Sequence, residues 1–253
     1  MARRSWVIAR NEILLLRYDS FALLALTVLP LIGMAFMKSA FQSSCGIAGA
    51  TGAAQAVPGI AVTFGPVLIG SVGYGFYREH AWKTWPRLRS SPASTAEILC
   101  GKTILPLLLL GGQFALLFGL GGALLGLHVE GSWAALALVA VAFGLLLISL
   151  GFAITAVCET VVQANAITAV AGLAGACLGG ALMPFATLPG WAQTIAPAVP
   201  HYWAMRGYQD VILGRGGGVA LPVAVLLLYT AGFAAVAAWR LRFEDAKTGF
   251  AIG

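Results

Sequence analysis

Read in windows of about 19 residues, the chain resolves into six charge-free apolar runs at 21–37, 57–77, 104–127, 134–157, 164–185 and 219–239. Each is 17 to 24 residues long. As helices they reach roughly 26 to 36 Å at 1.5 Å per residue, which brackets a hydrocarbon core of about 30 Å. Membrane strands would need about ten alternating residues, and no such alternation is present. The pattern therefore predicts an all-α integral membrane protein with six transmembrane helices, forming a single domain over 1–253.

Composition sharpens this picture. Sixty per cent of the 253 residues are apolar and only 9% charged, against about 25% charged in an ordinary soluble domain. The mean hydropathy is +0.90. A water-soluble fold, a disordered chain and a collagen-like chain are all excluded. The net charge of +6 records topology rather than nucleic-acid binding, because of where the cations lie. Arg3, Arg4, Arg10, Arg17, Arg78, Lys83, Arg87, Arg89, Lys102, Arg240, Arg242 and Lys247 occupy alternate inter-span segments; only Lys38, Arg206 and Arg215 fall in the others. The positive-inside bias then places both termini in the cytoplasm. The N-terminus lacks the cleavage pattern of a signal peptide.

No Asp, Glu, Lys, Arg or His lies within the six runs. Ion-coupled carriers and pumps need such groups in mid-membrane, so the energy for any transport is expected from outside the spans. The longest segment between spans, 186–218, is too short for a domain of its own. Gly101-Lys102-Thr103 resembles the end of a phosphate loop, but Ala96 stands where the first glycine is required. Ser94-Thr95-Ala96-Glu97 reads instead as a capping box opening the third span. Gly70-Ser71-Val72-Gly73 lacks the spacing of a hydrolase nucleophile. His128 and His201 read as interfacial polar residues. Cys45, Cys100, Cys158 and Cys177 show neither disulfide nor metal spacing and read as small apolar packers.

Three segments outside the spans carry more information. In the first 18 residues Arg3, Arg10 and Arg17 form one stripe and Trp6, Ala9, Ile13 and Leu16 another, interrupted by Glu12: an interfacial helix, or simply the positive flank of the first span. In segment 77–94, Trp82 and Trp85 share a helical face, and Pro86 and Pro92 limit its length. Such an aromatic, basic ledge suits a membrane anchor or a contact for a cytoplasmic partner. After the fifth span, prolines divide a strongly apolar outer segment into two short helical pieces, one after Pro189-Gly190 and one after Pro200. Trp191, Tyr202 and Trp203 are expected at headgroup depth, and Arg206 can pair with Asp210 four residues on.

These pieces in this order resemble the type-2 ABC exporter permease family, the membrane half of ATP-binding-cassette exporters and drug-resistance pumps. The resemblance spans essentially the whole chain. It rests on the N-terminal helix, on Arg78-Glu79 with Leu88, Ser91-Pro92-Ala93-Ser94 and Gly101-Lys102, on Gln163-Ala164-Asn165-Ala166, and on Leu188-Pro189-Gly190-Trp191 continuing to Pro200, Tyr202, Trp203 and Arg206. It departs at Trp82-Lys83-Thr84, where many relatives carry a Gly-Thr turn. The resemblance implies a homodimer or heterodimer of six-span subunits in the bacterial cytoplasmic membrane, with two separate ATPase subunits that bind ATP and Mg. This chain itself would then be non-catalytic and free of metal or other cofactor. Glu79, His80, Trp82, Lys83, Trp85 and Arg87 would form the coupling helix seated in the ATPase. Pro189, Trp191, Pro200, Tyr202, Trp203 and Arg206 would build outer re-entrant helices over the substrate path.

The uncharged spans favour export of hydrophobic or amphipathic compounds. Thr63, Ser71, Tyr74, Asn165 and Thr168 are the small polar groups available to such a path, or else to interhelical hydrogen bonds. Export of a lipid or glycan, haem export for cofactor assembly, and a non-transporting assembly or sensor role are the alternatives. Gly122-x-x-x-Gly126 and Gly175-x-x-x-Gly179 are candidates for close helix packing, within the subunit or between two.

Overall fold

Local chain chemistry, more than hydropathy, sets where each helix starts and stops. A computed structural model describes residues 6, 10, 11, 14, 20–44, 52–68, 90, 95–215 and 218–240. The main helices are α1 (Ser20–Ser44), α2 (Gly52–Phe64), α3 (Thr95–Leu125), α4 (Trp133–Val157), α5 (Val161–Leu178), α6 (Gly190–Ile195), α7 (Pro200–Ile212) and α8 (Ala220–Arg240). The described residues contain no strand. Trp6, Arg10, Asn11 and Leu14 are helical and exposed, while the remainder of the N-terminal segment lies outside the described residues. Among the described residues four helical stretches are long and apolar enough to cross a membrane: Gly101–Leu125, Trp133–Val157, Val161–Leu178 and Ala220–Arg240.

Several boundaries differ from the apolar windows. α1 runs on past Lys38 to Ser44, because a helix can continue beyond its uncharged stretch when the following residues still pack, as buried Phe41 does. α2 begins five residues before the expected 57 and ends at Phe64. There the chain tightens into a 3-10 turn, Gly65–Leu68, at Pro66, which removes an amide donor and cannot continue the α ladder. Thirteen residues of α2 reach only about 20 Å, short of a bilayer core.

α3 starts at Thr95, where the capping reading put it, although Ser94 itself lies outside the described residues. Gly101-Lys102-Thr103 is thus mid-helix. Glu97 and Lys102 are buried, so charged groups reach further along this helix than the uncharged window 104–127 shows. α5 starts three residues before the expected 164 and stops at Leu178, seven before the expected 185. At its start Thr160 Oγ1 accepts from the Gln163 amide (3.2 Å), and Gln163 Oε1 accepts from the Glu159 amide (3.2 Å), a reciprocal cap. At its end Gly180 takes φ +76° and the Ala181 amide returns to the Ala176 carbonyl at 2.9 Å, which closes the helix.

α4 is the central helix, with Val139, Phe143, Leu146 and Leu147 fully buried, and it packs against α8, α3, α7 and α5. Helix ends collect on one face of the bundle. Gly52 of α2 lies against the Lys38 carbonyl of α1. The amides of Glu130 and Gly131, between α3 and α4, donate to the carbonyls of Ile212 and Val211 at the end of α7 (3.1 and 3.0 Å). Gln55 of α2 reaches Gly180 after α5. The successive helices α1, α2, α3, α4, α5 and α8 therefore alternate in direction. Lys38, Arg206 and Arg215 gather on this face, and Lys102 and Arg240 toward the other, which is the grouping of the charge count.

Candidate gating site

α5 ends and α8 begins on the same face, so the 41 residues between them leave and return without crossing. Within this segment Pro184 precedes a 3-10 turn, Phe185–Thr187, Pro189 starts α6, and Pro200 occupies the first turn of α7. Proline suits all three places because its fixed φ fits a helix start, where the missing amide is not needed. The two pieces expected from the sequence are present.

Aromatic side chains and backbone carbonyls hold the pieces together. Trp203 Nε1 donates to the Pro197 carbonyl (2.8 Å), and the Tyr229 hydroxyl of α8 donates to the Ala198 carbonyl (2.8 Å). Tyr202 packs on Phe185 and Trp203, with ring centroids 5.2 and 5.4 Å apart. The Arg206 guanidinium lies over the Trp203 ring at 5.5 Å, a cation–π contact. Its Nε also stands 3.8 Å from Asp210 Oδ2. Burial pushes the Asp210 carboxyl above its ordinary pKa, while Arg206 and Arg215 oppose that shift. Trp191 is exposed.

The inner face of α7 is where the sequence reading is corrected. His201 is not interfacial: it is 3% exposed, set edge-on to Phe143 of α4 at 5.7 Å and seated over α5. A Cβ at Gly175 would overlap its ring, and one at Gly179 would come within 2.8 Å of its Cβ. Gly175-x-x-x-Gly179 thus makes room for α7 within this subunit. Burial pushes the His201 imidazole below its ordinary pKa, leaving it neutral. Among the described residues neither ring nitrogen has a hydrogen-bond partner, and nor does the hydroxyl of fully buried Tyr208, seven residues on. Each such group costs about 1–3 kcal/mol.

Gln209, the next residue, is satisfied. Its Nε2 donates to Gln55 Oε1 (2.6 Å), and Gln55 Nε2 donates to the Gly180 carbonyl (2.8 Å). Neither glutamine stood out in the sequence. The available signal was a lone Gln two residues before an apolar run. Next to it Gly59 packs directly on the Ala181 carbonyl.

The expected path residues are distributed otherwise. Thr63 Oγ1 donates to the Gly59 carbonyl of its own helix (2.7 Å). Thr168 is buried on α5 and Asn165 exposed. By helical spacing Thr63 shares the face of Gly59, and Thr168 the face of Gly172, which meets Pro66; both therefore belong to the α2–α5 seam. Ser71 and Tyr74 lie outside the described residues, as do the coupling residues Glu79, His80, Trp82, Lys83, Trp85 and Arg87. An apolar cavity of about 390 Å³ lies elsewhere, between α3 and α4, lined by Leu107, Phe114, Phe118, Trp133, Leu136 and Gly144 among others. Among the described path residues, Thr63, Asn165 and Thr168 do not line it.

The sequence model of the family described as ABC-2 type transporter matches residues 3–213. The chain belongs to the ABC-2 type transporter family. No curated protein matches it. As an ABC-2 membrane domain it is a multi-pass permease subunit of an ABC transporter, a family that works with ATP-binding-cassette partners. The matched region takes in the folded-back segment as far as Leu213, so α6 and α7 are part of the family's own domain rather than an appendage. Among the described residues no cluster of His, Cys, Asp or Glu could hold a metal ion; Cys158 is buried and Cys177 exposed, both as free thiols.

Proposed function

We propose that this ABC-2 permease exports hydrophobic or amphipathic compounds outward across the bacterial cytoplasmic membrane. The energy comes from two separate ATPase subunits, which bind ATP and Mg. The observation that supports it most is the folded-back α6–α7 segment, an irregular stretch shielded by α2, α4, α5 and α8, as backbone at membrane depth must be. In this reading it covers one end of a path, on the face that the positive-inside bias would put outside. The crossing helices carry charge only near their ends, at Lys102 and Arg240, which favours an apolar cargo and an energy source outside the membrane.

In this reading the chain makes six spans, both termini are cytoplasmic, and Glu79 to Arg87 seats in the ATPase. A second permease subunit covers the exposed apolar faces of α1 (Leu29, Phe36) and α5 (Val170, Leu173). Inside-out vesicles containing the permease and its ATPase should accumulate a lipophilic cation when given ATP. Transport that persists with a hydrolysis-dead ATPase and collapses with the proton gradient would assign the protein to secondary carriers. Accumulation of a lipid or glycan instead would move the cargo to that class.

A further inference from the structure

The inner face of α7 carries His201 and, two turns on, the adjacent Tyr208 and Gln209, and among the described residues only Gln209 is bonded. His201 and Tyr208 are buried with no hydrogen bond from the ring nitrogens or the hydroxyl. Hydration of those atoms would favour moving α7 away from its neighbours. The opposing side-chain bonds are two: Gln209 to Gln55, and Gln55 to the Gly180 carbonyl. They tie together three elements far apart in the chain, namely α7, the start of α2 and the turn that ends α5. Their direction is determined by chemistry. A carbonyl only accepts, so Gln55 turns its NH₂ to Gly180 and leaves its oxygen to accept from Gln209. The backbone bonds from Glu130 and Gly131 hold the end of α7 to a different loop, so α7 can part from α2 without breaking them.

We infer that Gln55 and Gln209 form a hydrogen-bonded latch that holds α7 shut against α2 and the end of α5, and that its release opens the gate. This rests on the reading of α7 as the gate. The device is a two-position element in which buried unpaired atoms favour one position and a polarity-specific bond the other.

The direction of the bond supplies the test. Gln209→Glu sets a carboxylate against the Gln55 oxygen and should release the latch, as should Gln55→Leu. Gln209→Lys keeps a donor and should hold it. Gate position is read by a membrane-impermeant maleimide on Ala204→Cys, a fully buried position on α7, with the four native cysteines replaced by alanine. The full chain is assayed in membranes with its ATPase and without ATP. Parent and Gln209→Lys should label slowly, and Gln209→Glu and Gln55→Leu about tenfold faster or more, the order expected for one lost buried hydrogen bond. Equal labelling of the Glu and Lys variants, or labelling of all variants at the parent rate, would overturn the latch. Protease resistance of the membrane-inserted chain separates release from misfolding: the released variants should match the parent, and a Glu variant as protease-sensitive as heat-unfolded chain would count against a gate-only role. Labelling requires no transport, so a parent complex that never moves substrate would overturn the functional reading and leave the latch result standing.

Discussion

Replacing Gly175 by alanine adds one methyl group where the structure has no room for it. The new carbon would overlap Nδ1 and Cε1 of His201. That ring has little room to retreat, since Phe143 packs edge-on against it and the Gly179 backbone lies against the His201 Cβ. Overpacking of this kind costs about 1–3 kcal/mol. The helix preference of Ala over Gly returns about 1 kcal/mol, so the net loss should be about 0–2 kcal/mol. In a His201→Ala background the obstacle is gone and only the propensity gain remains, so the same substitution should become neutral or stabilising. The coupling between the two positions should then equal the overpacking cost, about 1–3 kcal/mol, within the range for residues in contact. His201→Ala also removes two unpaired buried nitrogens while losing the Phe143 contact, and the double-mutant cycle cancels that mixed effect. SDS titration of the folded chain in mixed micelles, followed by far-UV circular dichroism, measures all four variants. If Gly175→Ala shifts the midpoint equally in both backgrounds, the glycine does not serve the α5–α7 contact. A role between subunits would then explain it better.

Gly59→Ala should destabilise the chain by about 1–3 kcal/mol in the same titration, without rescue by any side-chain truncation, because the atom in the way is the Ala181 backbone carbonyl. Thr160→Ala should cost about 1 kcal/mol through loss of the α5 cap, and Thr160→Ser little. Trp82→Ala, or charge reversal at Lys83 or Arg87, should weaken ATPase docking roughly thirtyfold or more and uncouple hydrolysis from transport, since a buried aromatic anchor commonly carries about 2 kcal/mol. Membrane insertion should be unchanged, because most of the inner cations remain. Co-purification of the ATPase together with vesicle transport checks this, and parental behaviour in both would make the ledge a membrane anchor.

Some features were legible residue by residue. Uncharged runs of sufficient length announce bilayer helices because lipid leaves an unpaired backbone no other partner. Alternating cation density grouped the helix ends as the bundle does, and Pro189 and Pro200 announced α6 and α7 because proline starts helices but does not continue them. Pro66 and Gly179-Gly180, by contrast, ended α2 and α5 inside windows that hydropathy reads as continuous, since an average over 19 residues is blind to a single missing amide or one left-handed glycine. The partners of the inner face of α7 were not legible: helical spacing marks Ala204, Met205, Tyr208, Val211 and Ile212 as one side, but not what that side meets. α4 and α5 do not separate a polar from an apolar face, so their sequences do not say which side meets lipid and which meets protein. That choice decided that His201 is buried rather than interfacial, that Gly175 and Gly179 serve its close approach, and that Gln55 meets Gln209 across 154 positions of chain. Sequence alone determined that this chain lives in a membrane as alternating helices. Tertiary packing alone decided which of its few polar atoms face each other, because a contact between distant residues leaves no local periodicity to read.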